Sequence, residues 1–434
     1  MIRVKNKKTH VFMLVLLLIL GIGFAALAAT LKINGTITID SAKWDVHFEN
    51  VEVAQGSVTA TTVPTSDDAT TTEMTYAVDF TKPGDFYEFT VDIANDGTID
   101  AMVDLVTNKV YASDGTTEKA LPAYLKSTVT YDDDVEIKSN QLLAKQTSEK
   151  IKVRVEFRSD VEASDLPSTN ETTVFKFSST FKQADETSCQ RPTTFENDSW
   201  DVIQCNVRNN PLSYPIGAEK TIEMDIDGDN TNETYTLRVA NNTTPAECST
   251  QGFSQTACGF VVEFKDIVEN RVMNSSSNTN AEGWKNTTLI TYLNGDFYNK
   301  LPSNLKNVII PTCPIVSGSG KVEANIENSG VSENITASDT TKNKIYLLSG
   351  REVGFDSSKD NKKDITTDTR TLDYYSLNGS TVVKKDLNNI ENHWWLRSAN
   401  SENYTTFCIV SASGSIGYNG TGSPRGVSPA FRIG

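Results

Sequence analysis

Along most of this chain apolar and polar positions alternate with a period of two, the signature of strands with one buried face. The exception is the start, where an unbroken apolar run covers residues 11–29. Alternation then sets in at Leu31, Ile33, Ile37 and Ile39 and continues into Trp44, Val46 and Phe48. The clearest hairpin joins residues 86–93 to Ile99, Ala101, Val103 and Leu105 through the turn Asn95-Asp96-Gly97. Lys82-Pro83-Gly84-Asp85 is a second turn signal, and residues 151–157 and 174–177 repeat the strand pattern. The Thr- and Ser-rich residues 57–72 read as a surface loop. Further on, residues 221–226 and 235–240 predict a hairpin, residues 308–310 a buried strand and residues 345–349 a return to sheet. Helix is expected twice: a short one over residues 260–272, and one over residues 283–294 capped by Thr287 or Thr288. In the second, Leu289, Tyr292, Leu293 and Phe297 recur at helical spacing and make a core face. The Ser-, Gly- and Asn-rich residues 317–343 read as an insertion.

The pattern predicts a mainly β chain with some α. Residues 1–30 form a signal peptide or single transmembrane helix, residues 31–183 a β-sandwich of Ig-like or jelly-roll type, residues 184–199 a linker, and residues 200–434 an α+β domain. Arg3, Lys5, Lys7 and Lys8 precede the apolar run, and Ala26, Ala28 and Ala29 end it. That is the layout of an export signal, and Ala26-Leu27-Ala28 offers a cleavage site. The run is also long enough, about 28 Å as a helix, to stay as a membrane anchor. Either outcome places the rest outside the cytoplasmic membrane. Residues 184–199 are polar and carry Pro192, which marks a boundary.

Charge and cysteines narrow the partners. The formal charge of −16 and a pI near 4.8 exclude nucleic acid, whose phosphates need basic surfaces. All six cysteines lie at Cys189 or beyond, an even number in an oxidising compartment. Cys248 and Cys258, ten apart across a short loop, are the leading pair. Cys189 with Cys205 and Cys313 with Cys408 follow by elimination, while other pairings and free thiols stay open. A zinc centre lacks ligands: no H-E-x-x-H occurs, and His47 and His393 stand alone in their domains. Asp225, Asp227, Asp229 and Glu233 form the one candidate metal set, for calcium. Their spacing departs from an EF-hand, since Gly228 takes the fourth loop position and Thr236 the twelfth, where a bidentate Glu is required. A solvated Asp-Gly turn is the competing reading.

The last forty residues hold the other candidates. Trp394 and Trp395, with Leu396, are costly to expose and should anchor a core together with Trp284 and Arg397. The loops that follow offer Asn400, Glu402, Asn403, Tyr404, Tyr418, Asn419 and Arg425 as ligand contacts, a composition suited to recognising a sugar or a protein. No G-x-S-x-G and no phosphate-cradling loop occurs, so the chain is read as non-catalytic, without a cofactor other than the candidate calcium. The expected role is an exported or membrane-anchored adhesin-like surface protein that binds a surface glycan or protein. Its alternatives are a structural component of extracellular fibres or envelope matrix, and a secreted carboxylate-dependent hydrolase, whose two carboxyl groups a sequence alone does not place.

Two resemblances add to this. Leu31-Lys32-Ile33-Asn34-Gly35-Thr36, with the block from Lys82-Pro83-Gly84-Asp85 to Asn95-Asp96-Gly97-Thr98-Ile99-Asp100-Ala101, resembles exported sandwich proteins of Gram-positive bacteria in the biofilm fibre protein and camelysin group. That likeness implies fibre assembly or a spacer, in a cell-wall or secreted setting. In the second half, the ordered series Tyr214-Pro215-Ile216-Gly217, Gly283-Trp284, Tyr346-Leu347-Leu348-Ser349, Glu352-Val353, Trp394-Trp395-Leu396-Arg397-Ser398 and Gly426-Val427-Ser428-Pro429-Ala430 resembles an uncharacterised bacterial family, domain of unknown function 6273. This implies a C-type-lectin-like or formylglycine-generating-enzyme-like scaffold that presents variable loops. Ser428 departs from the arginine that the family commonly has there; Arg425 or Arg432 would have to substitute.

Overall fold

The computed structural model describes residues 42–434 except 55, 57, 66–71, 167–172, 251–252, 276–277, 281–282, 315–342, 356–368, 378 and 401–402. The expected signal or anchor helix, the first strand at residues 31–39, much of the loop at residues 57–72, nearly all of the insertion and Glu402 lie outside the described residues. Among the described residues no helix is long and apolar enough to cross a membrane.

The chain is mainly β, as its alternation predicts. Among the described residues the first ten strands are β1 (Val46–Val53), β2 (Ala60–Thr62), β3 (Glu73–Val78), β4 (Phe86–Asn95), β5 (Ala101–Tyr111), β6 (Glu118–Lys119), β7 (Leu125–Tyr131), β8 (Leu142–Leu143), β9 (Thr147–Phe157) and β10 (Thr173–Gln183). They form two antiparallel sheets, ordered β1-β4-β9-β7 and β2-β3-β10-β5-β6, with β8 beside β5. Inward residues of both sheets share one core, where Phe48 stacks on Phe177 and Tyr76 on Phe175, each with ring centroids 5.1 Å apart. Each such ring contributes about 1.5–3 kcal/mol by leaving water.

One expected element is corrected here. The hairpin across Asn95-Asp96-Gly97 does not form, because β4 and β5 belong to different sheets. Asn95 is buried, donates to the carbonyls of Ile99 and Leu143, and accepts from the Gly97 amide. Those bonds turn the segment into a corner that carries the chain from one sheet to the other. The Pro-Gly-Asp turn is as expected: the buried Asp85 carboxylate accepts from the amides of Thr81 and Lys82, and Gly84 supplies φ +91°.

Residues 184–199, read as a linker, are bonded to the strands before them and to the elements after them. The backbone of Cys189 bonds to Asn140 and Leu142 on one side, and its sulfur is bridged to Cys205 on the other. Phe195 is buried edge-on against Trp200, Tyr214 and Phe260. The Asp198 carboxylate accepts from Thr193 and from the Tyr214 hydroxyl at 2.6 Å. A helix, Trp200–Asn209, follows directly. Ser199 caps it by accepting from the Val202 amide, and Trp200, Ile203 and Val207 bury its apolar face.

The later strands are β11 (Glu219–Met224), β12 (Glu233–Asn241), β13 (Val261–Phe264), β14 (Glu269–Arg271), β15 (Ile309–Ile310), β16 (Tyr346–Leu347), β17 (Lys384–Lys385), β18 (Glu391–Asn392), β19 (Trp394–Ala399), β20 (Thr406–Val410), β21 (Ile416–Gly420), β22 (Arg425–Val427) and β23 (Pro429–Ile433). One sheet runs β11-β12-β13-β23-β15 with β16 on β23, a second β14-β22-β19-β20-β21, and β17 pairs with β18. The hairpin of β11 and β12 is as the alternation predicts. The helix expected over residues 260–272 is instead β13 and β14. Val261 to Phe264 are buried throughout, so the segment has no polar face, and periodicity cannot distinguish such a run from a buried helix. The other expected helix is present as Thr288–Tyr292, capped by the Thr287 hydroxyl accepting from the Ile290 amide, and it runs on through a wider π turn, Leu293–Phe297. A short helix not foreseen, Ser303–Val308, leads into β15.

Candidate functional site

The paired tryptophans occupy opposite faces of β19, as strand geometry requires of neighbours. Trp394 packs with Tyr346, Leu348 and Cys408, and Trp395 with Phe407, Val427 and Phe431. Both are fully buried with their indole N–H satisfied, Trp394 on the Val382 carbonyl at 3.0 Å and Trp395 on the Arg271 carbonyl at 2.8 Å. Trp284, also buried, donates to Asn343. Gly426 permits the parallel contact of β22 with Trp394: a Cβ there would lie 2.6 Å from Ile267 and 2.9 Å from the His393 carbonyl.

Arg397 is wholly buried and grips Glu352 with both terminal nitrogens. It also donates to the Leu347 carbonyl at 2.8 Å and the Thr256 hydroxyl at 2.9 Å. Glu352 accepts in turn from the Ser349 amide and the hydroxyls of Thr256 and Thr369. Burial acts to raise the Glu352 pKa, but Arg397 and these donors outweigh it and hold it below 4.5. A second internal cluster centres on Glu263, also buried, which binds Arg238 at 2.7 Å and Lys384 and Tyr375 at 2.8 Å each. Burial pushes the Lys384 ammonium down to about 8 against the pull of Glu263. For Glu263 burial acts upward, and Arg238 with Lys384 outweighs it, so its pKa lies below 4.5. Both carboxylates therefore stabilise the fold fully above their unfolded pKa, and that contribution is lost as pH falls through their depressed folded values. The melting temperature is expected to fall as pH drops below the ordinary glutamate value of 4.5, read by circular dichroism.

These ion pairs are structural, since they face inward. The solvent-facing chemistry lies where three loops meet. Asn280, buried and missed in the sequence, gathers the carbonyls of Asn400, Asn403 and Thr406 around its Nδ2 at 2.8–2.9 Å, and its amide donates to the Tyr404 carbonyl. Thr421 ties in the third loop: its amide donates to the Thr405 carbonyl, its carbonyl accepts from Asn274, and its hydroxyl donates to Asn278. Asn274, Asn278, Asn280, Asn400, Asn403, Tyr404, Thr405, Thr406 and Thr421 are thus joined in one hydrogen-bonded rim. Of the expected contacts, Asn400 is buried and its side chain accepts from the Asn403 amide, a turn-forming role. Asn403 and Tyr404 are exposed on the rim. Tyr418, Asn419 and Arg425 are half-buried; Tyr418 leans on the core behind β20, and Arg425 donates to the Pro424 carbonyl. Asn280→Ala would remove the donor that those three carbonyls share and is expected to cost about 1–3 kcal/mol in a chemical denaturation series.

Beside the rim, β14 and the helix Thr288–Tyr292 flank an open cavity of about 510 Å³. The Arg271 guanidinium lies flat on the Tyr292 ring, 3.4 Å from its centroid, while Glu269 holds the Arg271 Nε and the Tyr292 hydroxyl. No sequence pattern links Arg271 to Tyr292; strand pairing and helix docking bring them together.

The aspartates converge as expected, with ligand atoms of Asp225, Asp227 and Asp229 within 4.8 Å of one another, but Glu233 is outside the group. Glu233 begins β12 and accepts from the Tyr235 hydroxyl instead. The aspartates accept from the amides of Gly228, Asp229, Asn230 and Thr231, so each already completes the turn between β11 and β12.

Cys248 is bridged to Cys258 and Cys189 to Cys205. The third pair, expected by elimination, is absent: Cys313 and Cys408 are thiols. Cys408 sits inside β20 among Trp394 and Val410, whereas the Cys313 carbonyl accepts from Gln255 beside the Cys248–Cys258 loop. Counting cysteines carries no such positional information. Converting Cys248 and Cys258 to Ser is expected to cost about 2–3 kcal/mol, given the short loop closed, as measured by denaturant midpoint with and without reductant.

Residues 260–434 match the family described as a domain of unknown function, DUF6273. The matched region holds the tryptophans, both internal acids and all three rim loops. It leaves out Tyr214-Pro215-Ile216-Gly217, the helix Trp200–Asn209 and the hairpin of β11 and β12, which complete the same core. In the matched region Ser428 donates to the Phe264 carbonyl at 2.9 Å, so no arginine stands at that point of the sheet. No curated protein and no solved structure matches the chain.

Proposed function

We propose that this chain is an exported or membrane-anchored bacterial surface protein, non-catalytic, in which a β-sandwich carries a C-type-lectin-like module that binds a surface glycan or protein. The observation that carries the reading is the hydrogen-bonded rim of three loops. Asn280 and Thr421 hold it on a core whose buried acids, Glu263 and Glu352, are paired internally, so the rim is preorganised for recognition. The two disulfides favour an oxidising compartment outside the cytoplasm. The aspartate turn adds a candidate for weak calcium binding and is not needed for the rim. Protease added to intact cells is the test of location: digestion beyond Leu31 supports export, and protection until lysis contradicts it.

A fibre or matrix component is the second reading. β1 and β7 each pair on one side only, among the described strands, and such edges accept a further strand. Concentration-dependent fibres of the purified full chain in electron microscopy would favour it over the adhesin.

A further inference from the structure

We infer that the cavity between β14 and the helix Thr288–Tyr292 is a seat for a neutral saccharide, an inference that rests on the binding-module reading above and adds a second contact surface beside the rim. At about 510 Å³ the cavity has the size of small-molecule sites. Its lining combines one cation, Arg271, one anion, Asp296, the hydroxyl residues Ser275, Thr288 and Thr291, and the ring of Tyr292. That lining excludes anionic ligands. A polyanion would meet Asp296, the Glu269 carboxylate paired with Arg271, and the chain's charge of −16. An apolar ligand would strip water from the hydroxyls without replacing it.

A sugar satisfies every part at once, because it offers hydroxyl donors and acceptors around an apolar ring face. Glu269 holds Arg271 by its Nε and Tyr292 by its hydroxyl, so the stacked guanidinium and ring are fixed before any ligand arrives. The Arg271 side chain remains 41% exposed and so stays accessible to a ligand. Asp296 and Thr291 are exposed, line the same cavity and supply acceptors. Ser275 and Thr288 bond to each other at 2.9 and 3.2 Å and set the depth of the wall.

The test is calorimetric titration of the full chain with neutral tri- and tetrasaccharides of glucose, mannose and N-acetylglucosamine, in wild type, Asp296→Ala, Thr291→Ala, Arg271→Lys and Tyr404→Ala. Asp296 and Thr291 are exposed, so their variants keep the melting temperature. The expected result is saturable binding that weakens by roughly tenfold or more in Asp296→Ala and Arg271→Lys. Arg271→Lys keeps the charge and loses the planar fork. Undiminished binding in both variants overturns the assignment. If Tyr404→Ala then weakens binding while the cavity variants do not, the binding-module reading stands and this site alone fails. Absence of binding to every saccharide in the panel overturns the inference as well, and a protein ligand would then remain for the rim.

Discussion

Replacing Arg397 with Leu is expected to destabilise the second half of the molecule by about 3–5 kcal/mol, the range for removing one partner of a buried ion pair. The cost arises from what stays behind. Glu352 is fully buried, and without the guanidinium its carboxylate keeps only the Ser349 amide and the hydroxyls of Thr256 and Thr369. Burial would then raise its pKa unopposed by the guanidinium, so it would take up a proton more readily or draw in water. The Leu347 carbonyl loses its partner too. Arg397→Lys should recover only part of the loss, since one ammonium cannot reach both carboxylate oxygens and the Thr256 hydroxyl in a single plane. The double variant Arg397→Leu/Glu352→Leu should be less damaging than Arg397→Leu alone. Chemical denaturation of the four proteins checks this, and equal stability of Arg397→Leu and wild type would show that the pair is not buried in solution.

Trp395→Ala should cost about 3–5 kcal/mol as well, through the cavity left by a fully buried indole. Its position adds a second consequence. The indole N–H bonds to the Arg271 carbonyl, so the substitution also loosens the end of β14, where the cavity begins. Trp395→Phe should lose less, because most of the apolar volume is retained while the Arg271 carbonyl loses its donor. Thermal melts measure both. A melting temperature for Trp395→Ala unchanged from wild type would mean that the ring is exposed, and it would then become a ligand contact in its own right.

The parts of the fold that were legible in the sequence are those with one wet face. β9, β10 and the hairpin of β11 and β12 alternate cleanly because one side of each is at least partly in contact with water. β13 failed because it is buried on both faces and shows no period. The β4–β5 corner failed because an Asn-x-Gly turn closes a hairpin or carries the chain between sheets with the same local residues. Long-range closure, through Asn95 to Leu143, decides which. The helix Trp200–Asn209 did leave a signal, Ser199 as cap with Trp200, Ile203 and Val207 spaced along one face, which the polar composition before it obscured. In the site, the burial of Trp394 and Trp395 was readable from their size alone. Arg397 was readable as part of the motif, but its partner Glu352 is 45 residues earlier and no local pattern joins them. Asn280 was hidden for the same reason: an Asn in a polar loop looks like surface until the loops it ties are placed around it. Asn400 was read as surface because its neighbours are polar, and it is the turn they build that buries it.

The central claim is that the rim of loops on this scaffold binds a ligand, and one measurement addresses it most directly. The full chain and its Asn403→Ala/Tyr404→Ala variant would be applied to an array of bacterial and host glycans and surface proteins, with melting temperatures recorded in parallel. Both residues are exposed, so the two proteins should melt within the small range typical of surface changes, about 0.5 kcal/mol in stability. Saturable binding by the wild-type chain that is lost or strongly weakened in the equally stable variant is the predicted result. No saturable binding to any component, or binding that the variant retains in full, would contradict it.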